Sequence, residues 1–201
     1  MLLFLALGNG DATTVTFAAA YKAYTHLKMK MPQLLPLSND EATPEARSSL
    51  ENLQAKLGRV PNMYRTFAHS PKVLDAAVSM ARAIRADLDA KFRELAYLKV
   101  TQLTDCHVCR HYHVALGRRA GLAEEQIDCL DRYEVSGAYS ESEKDVLRFT
   151  EQWTNTGRVN GDVLERLKLS LSAEHLVLLA ATVAQANFTS RFNNVFGVEL
   201  P

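Results

Sequence analysis

Nine consecutive residues, Asp105-Cys106-His107-Val108-Cys109-Arg110-His111-Tyr112-His113, bring together two thiols and three imidazoles. On a helix, Cys106, Cys109 and His113 share one face, because residues three and four apart are neighbours there. Asp105 is the expected N-cap, which sets the first thiol in the opening turn. The partial positive charge of a helix N-terminus favours thiolate over thiol. A Cys-x-x-Cys pair primed in this way points to thiol–disulfide chemistry. Two plainer readings stand beside it. The pair can be half of a structural zinc site, with His111 or His113 as a third ligand, but no second Cys-x-x-Cys or His-x-x-x-His follows and a fourth ligand is hard to find. Or both cysteines are small buried hydrophobes, the reading that applies to the isolated Cys129.

A reactive thiol needs a base and a route for its proton. His113, one turn after Cys109, is the first candidate; its plain alternative is a solvent-facing helix histidine. His107 and His111 fall elsewhere on the helical wheel and read as surface residues. Glu94 is the second candidate. It flanks the apolar stripe of Leu95 and Leu98, and a carboxylate buried there would have a raised pKa suited to proton exchange near neutrality. A solvated helix charge is the ordinary alternative for a glutamate.

The elements that must hold these residues all read as helical. Thr43-Pro44 is an N-cap followed by N1 proline, with Ala46, Leu50, Leu53 and Leu57 at helical spacing before Gly58. A short helix is expected over 63–69, and Ser70-Pro71 opens another through about residue 86. Asp89 caps a helix over 90–104, and the motif helix runs from Asp105 until Gly121 ends it. Residues 122–133 read as a short helix. Ser140 and Glu143 form a capping box for a helix through about 155 that buries Val146, Leu147, Phe149 and Trp153. A helix near 162–168 precedes a long one, capped by Ser172 and running to about 194, with Leu176, Leu179, Val183 and Phe188 on its face. No strand-length alternating run is bounded by turn signals, so the fold expected is all-α, with about seven to nine helices and no β-sheet. The scattered glycines form no nucleotide-binding loop.

The 201 residues suit one domain with a sizeable core. The formal charge balances to zero, so nothing points to nucleic acid or to an anionic membrane surface. Three cysteines in a chain of this length are no disulfide framework, and a reducing, cytoplasmic setting is expected. The apolar stretch 1–7 is too short to span a bilayer and lacks the basic lead of a signal peptide. Residues 1–30 differ in texture from the rest and are expected to be an N-terminal extension, disordered or weakly helical, ahead of a single domain over 31–201.

Glu94, eleven intervening residues, Cys106-x-x-Cys109 and His113 together resemble the signature of the alkylhydroperoxidase D-like (AhpD-like) proteins of the carboxymuconolactone decarboxylase superfamily. Val60-Pro61-Asn62 and His69-Ser70-Pro71 resemble the family's segment before that signature. The stretch from Asn187 through Arg191 to Asn194 resembles its closing region. The likeness covers roughly residues 32–200. It implies an all-α AhpD-like domain that assembles as a homotrimer or homohexamer, and an antioxidant, thiol-dependent peroxidase (peroxiredoxin) activity on hydroperoxides. It implies Cys109 as the thiol that attacks peroxide and Cys106 as the one that resolves it, with Glu94 and His113 moving the proton. The pair would be reduced by a dithiol protein or a lipoyl-type donor, with no bound cofactor and no metal. Position along the helix argues differently, since Cys106 is expected to be the more acidic and more exposed thiol. Val108 stands where the well-described peroxidase has an extra relay histidine, which puts strong peroxidase turnover in question. The alternatives are a lactone decarboxylase of the same superfamily, whose chemistry needs no thiols, and a non-catalytic zinc-binding or redox-sensing module.

Overall fold

The computed structural model describes residues 32–85 and 87–201; the extension expected over 1–30 lies outside the described residues. Among the described residues there are nine helices and no strand, which is the all-α architecture expected. They are α1 (Pro44–Leu57), α2 (Asn62–Phe67), α3 (Pro71–Ala83), α4 (Ala90–Leu103), α5 (His107–Arg119), α6 (Glu124–Asp128), α7 (Glu141–Thr156), α8 (Gly161–Ser170) and α9 (Ala173–Phe196). No helix among the described residues is long and apolar enough to cross a membrane.

The caps written in the sequence account for most of the boundaries. Thr43 Oγ1 accepts from the Ala46 amide, with Pro44 at the first helical position. The Ser140 hydroxyl and Glu143 carboxylate satisfy each other's backbone N–H groups at the start of α7. The Ser172 hydroxyl accepts from the His175 amide at the start of α9. Each such cap stabilises its helix by about 1 kcal/mol. Ser70 occupies the N-cap of α3 but its side chain makes no capping bond. The helix expected over 122–133 is much shorter: α6 ends at Asp128, and turns carry the chain to Tyr139.

Two apolar clusters organise the domain. Ala46, Leu50 and Leu53 of α1 pack with Leu74 and Ala77 of α3 and with Val60 and Phe67 between them. The larger cluster joins α4, α7, α8 and α9 through Leu95, Leu98, Val146, Leu147, Leu167, Leu179 and Val183. Trp153 packs only partly against it, and Phe188 of α9 is 45% exposed rather than buried.

α4 is the central rod. It packs on α5, α7 and α9, and every residue from Glu94 to Thr101 is buried. A helix enclosed on all sides can carry polar groups only if each finds a partner. Lys99 bonds the Leu130 carbonyl and Glu151 at 3.1 Å each, with its ammonium 4.8 Å from the centre of the Tyr133 ring. Thr101 donates to the Leu98 carbonyl. Glu94 is the third, and its partners form part of the site.

Candidate active site

The thiol pair sits where α4 hands over to α5. Thr104 caps the end of α4, and Asp105 then takes φ +52°, the one non-glycine residue in the left-handed region among the described residues. That reversal returns the chain so that the Cys106 amide bonds the Thr101 carbonyl at 3.0 Å. It also moves the N-cap by one residue. Cys106, not Asp105, caps α5: its Sγ accepts from the Cys109 amide at 3.3 Å, as a serine hydroxyl would. Asp105 instead points outward beside His107, 3.4 Å away, with both side chains 86% exposed.

Cys106 and Cys109 are joined as a disulfide, with Cα atoms 5.3 Å apart, inside the range that a disulfide spans without backbone movement. Both residues are buried. Cys109 is 7% exposed and Cys106 only 1%, so exposure runs opposite to the expectation from helix position. The cap accounts for this: the Cys106 side chain folds back over the first turn, against the Cys109 amide from which it accepts. The Cys106 side lines a cleft of about 380 Å³, together with Gln102, Arg110, Ile127, Leu130 and Asp131. Neither Glu94 nor His113 lines that cleft.

Glu94 and His113 meet across the α4–α5 packing. The His113 Nδ1 lies 2.7 Å from Glu94 Oε2, and Arg93 Nε donates to the other carboxylate oxygen at 3.0 Å. Glu94 is 1% exposed. Burial alone raises its pKa, but the hydrogen bonds and charges of His113 and Arg93 together outweigh burial and hold it below the ordinary carboxylate value. The raised pKa expected for this residue is therefore corrected: desolvation is present, and the His113 and Arg93 donors override it. An ionised Glu94 has only lone pairs to offer, so the His113 Nδ1 must carry the hydrogen between them. That leaves Nε2 as the imidazole's acceptor. The Tyr97 ring stacks on His113 at 3.9 Å between centres and 8° between planes, which fixes the imidazole plane. Burial pushes the Tyr97 phenol up, so it remains neutral beside the pair.

All four residues singled out in the sequence, Cys106, Cys109, His113 and Glu94, thus stand on the two adjoining helices α4 and α5. His107 and His111 are exposed, as expected. Val108 is only partly buried and offers no proton relay. Sequence reasoning missed two residues of α9. Asn193 Nδ2 donates to Cys109 Sγ at 3.3 Å and lies 4.0 Å from Cys106 Sγ. The Ser190 hydroxyl donates to Cys109 Sγ at 3.5 Å. The closing stretch noticed in the sequence named their neighbours instead. Asn187 bonds Thr154 and the Val183 carbonyl, Arg191 bonds Asn187 and the Thr154 carbonyl, and Asn194 bonds the Thr104 carbonyl at the end of α4. Among the described residues, no group of three or more His, Cys, Asp or Glu is placed to hold a metal ion.

The domain is all-helical, with a buried Cys106–Cys109 pair at the start of α5 and a carboxylate–imidazole couple formed between α4 and α5. Residues 71–152, which span α3 to most of α7 and contain all four site residues named from the sequence, match the Carboxymuconolactone decarboxylase family. That match covers less than half of the chain, and the described residues share the alkylhydroperoxidase D-like fold of solved structures. The chain is 27% identical over 115 residues to the uncharacterised protein YdfG of Bacillus subtilis, an alignment covering 56% of this chain and 78% of that one. In structure it is similar to a peroxidase-related protein with an alkylhydroperoxidase AhpD core from Ralstonia eutropha, with TM-score 0.74, 20% identity, and coverage of 85% of this chain and 92% of that one. It is also similar to the debrominase Bmp8, with TM-score 0.71, 18% identity, and coverage of 84% and 91%.

Proposed function

We propose that this protein is a thiol-dependent peroxidase and disulfide oxidoreductase with an antioxidant role. The observation that carries the reading is the Cys106–Cys109 pair at the start of α5, one turn from an imidazole anchored by a buried, ionised carboxylate. The Cys109 thiolate attacks the terminal oxygen of a hydroperoxide. The O–O bond breaks, Cys109 becomes a sulfenic acid, and the leaving alkoxide takes a proton to depart as an alcohol. The His113–Glu94 couple handles that proton, through a water where the distance requires one: Glu94 stabilises the imidazolium that forms when Nε2 accepts the Cys109 proton, and the imidazolium returns it to the leaving oxygen. The Cys106 sulfur then attacks the sulfenic sulfur, forming the disulfide and releasing water. A dithiol donor, protein-borne or lipoyl-type, restores the pair by exchange, being oxidised to its own disulfide. The cleft beside Cys106 gives that donor a place to approach.

The reading carries a reducing, cytoplasmic setting, no bound cofactor or metal, and a homotrimer or homohexamer. Light scattering on the purified protein tests the last of these, and a strict monomer at micromolar concentration would count against it. The central experiment follows hydroperoxide loss with a dithiol donor present. The wild type should turn over, and the Cys106→Ser, Cys109→Ser double variant should not. A double variant with full activity would remove thiol chemistry from the account.

A further inference from the structure

We propose that Ser190 and Asn193 of α9 hold the reduced pair as a Cys109 thiolate beside a Cys106 thiol, and so decide which sulfur attacks and how strongly the disulfide draws electrons from its donor. The assignment rests on the dithiol reading above. It starts from where two buried side chains point. A serine or threonine inside a helix ordinarily returns its hydroxyl to the carbonyl four residues back. Thr182 and Thr189 of α9 do so, donating to the Leu178 and Gln185 carbonyls. Ser190, fully buried, instead directs its hydroxyl across to Cys109 Sγ. Asn193, also buried, places Nδ2 closer to Cys109 Sγ than to Cys106 Sγ, at 3.3 against 4.0 Å.

Reduction changes what these two hydrogen-bond donors face. The disulfide takes two electrons and one proton from the donor and becomes one thiolate and one thiol. With the charge on Cys109, the Asn193 Nδ2–H and the Ser190 hydroxyl become charge-assisted donors to it. With the charge on Cys106, that thiolate would keep the Cys109 backbone N–H and a 4.0 Å contact, and two donors would face a neutral Cys109. The first distribution gives both donors a charged acceptor. It also satisfies them better than the disulfide does, since a disulfide sulfur is a weak acceptor. The same two side chains therefore favour the reduced state and make the pair a stronger oxidant.

The test reads the acidity of each thiol by pH-dependent alkylation with peptide mass spectrometry. It reads the potential by equilibrating the pair in dithiothreitol and glutathione redox buffers at a pH above the Cys109 pKa. In the wild type, Cys109 should ionise at lower pH than Cys106. Ser190→Ala and Asn193→Leu should each shift the Cys109 ionisation constant about tenfold toward the thiol. Each should also lower the equilibrium constant for reduction about tenfold, equivalent to about 30 mV toward more negative potential. Ser190→Ala deletes one oxygen and keeps the fold, so it decides the matter if Asn193→Leu does not fold. A wild type in which Cys106 is the more acidic thiol, or variants whose Cys109 acidity and potential both stay within about twofold, would overturn the assignment while leaving a cycling pair in place. A wild-type pair that neither buffer reduces would instead defeat the functional reading, and the assignment with it.

Discussion

Replacing Glu94 by glutamine keeps the shape of the side chain and removes its charge. The structure sets the size of the effect. When His113 holds a proton during peroxide attack, its charge lies about 4 Å from the carboxylate centre, and at an effective dielectric near 20 two such charges attract by about 4 kcal/mol. Glutamine can still accept the His113 Nδ1–H through its carbonyl, so the hydrogen bond survives and the charge term is lost. If a third of that attraction reaches the transition state, about 1.4 kcal/mol, the rate falls tenfold; two thirds gives roughly a hundredfold. Glu94→Gln should therefore slow peroxide consumption by about ten- to several-hundred-fold. The glutamine amide also faces the Arg93 guanidinium, donor against donor, so stability should drop by about 1–3 kcal/mol. Stopped-flow measurement of disulfide formation after one equivalent of hydroperoxide isolates the chemical step from the supply of reductant. Urea titration of the same sample separates slowed chemistry from partial unfolding. A folded variant that forms its disulfide at the wild-type rate would show that the carboxylate is a structural anchor for Arg93 and His113, and that proton transfer runs elsewhere.

The two cysteines should separate by substitution: Cys109→Ser should abolish peroxide consumption, whereas Cys106→Ser should leave a sulfenic acid on Cys109 that a carbon nucleophile traps, and trapping on Cys106 in the converse variant would reverse their roles. Because the Glu94 pKa is depressed in the folded protein, its contribution to stability is present above the ordinary carboxylate pKa of about 4.3 and is lost as pH falls through the lower folded value. Glu94→Gln should accordingly flatten the acid limb of a stability–pH curve, and an unchanged limb would mean that other carboxylates set it. Asp105→Gly should be neutral or slightly stabilising, while Asp105→Val should cost about 1–2 kcal/mol because valine resists the left-handed backbone there; equal denaturation midpoints would contradict that account. Leu95→Ala, at a fully buried position of α4, should cost about 2–5 kcal/mol and lower the thermal midpoint, and a shift under 1 kcal/mol would mean that α4 is less tightly enclosed than described.

Helix positions were legible where a cap and an apolar stripe agreed, as at Thr43-Pro44 and Ser140–Glu143. They were not legible between Leu122 and Tyr139, where apolar spacing continues but the chain turns to present Leu130 and Tyr133 to Lys99. The handover at Asp105 escaped for a similar reason: aspartate is a common cap, and nothing local shows that it adopts a positive φ and leaves the cap to a sulfur. Glu94 and His113 were visible as candidates through spacing and resemblance. The direction of the Glu94 pKa was not, because it depends on Arg93 turning back to the carboxylate and on His113 arriving from the next helix. Ser190 and Asn193 lie more than eighty residues from the thiols they touch. Their only trace in the sequence is a pair of polar residues three apart on the buried side of a mostly apolar helix.

The reach of α9 back to the thiols also bears on how the protein is made. A ribosome adds about 5–20 residues per second, so the 84 positions between Cys109 and Asn193 take about 4–17 s to synthesise. Throughout that interval the nascent chain carries both thiols without the helix that covers them. The capping turn and the Glu94–His113 contact are local to α4 and α5, whereas shielding waits for the final helix. Mixed disulfides with cellular thiols would then be a hazard of biogenesis rather than of the finished protein, with the last helix closing the window as it docks.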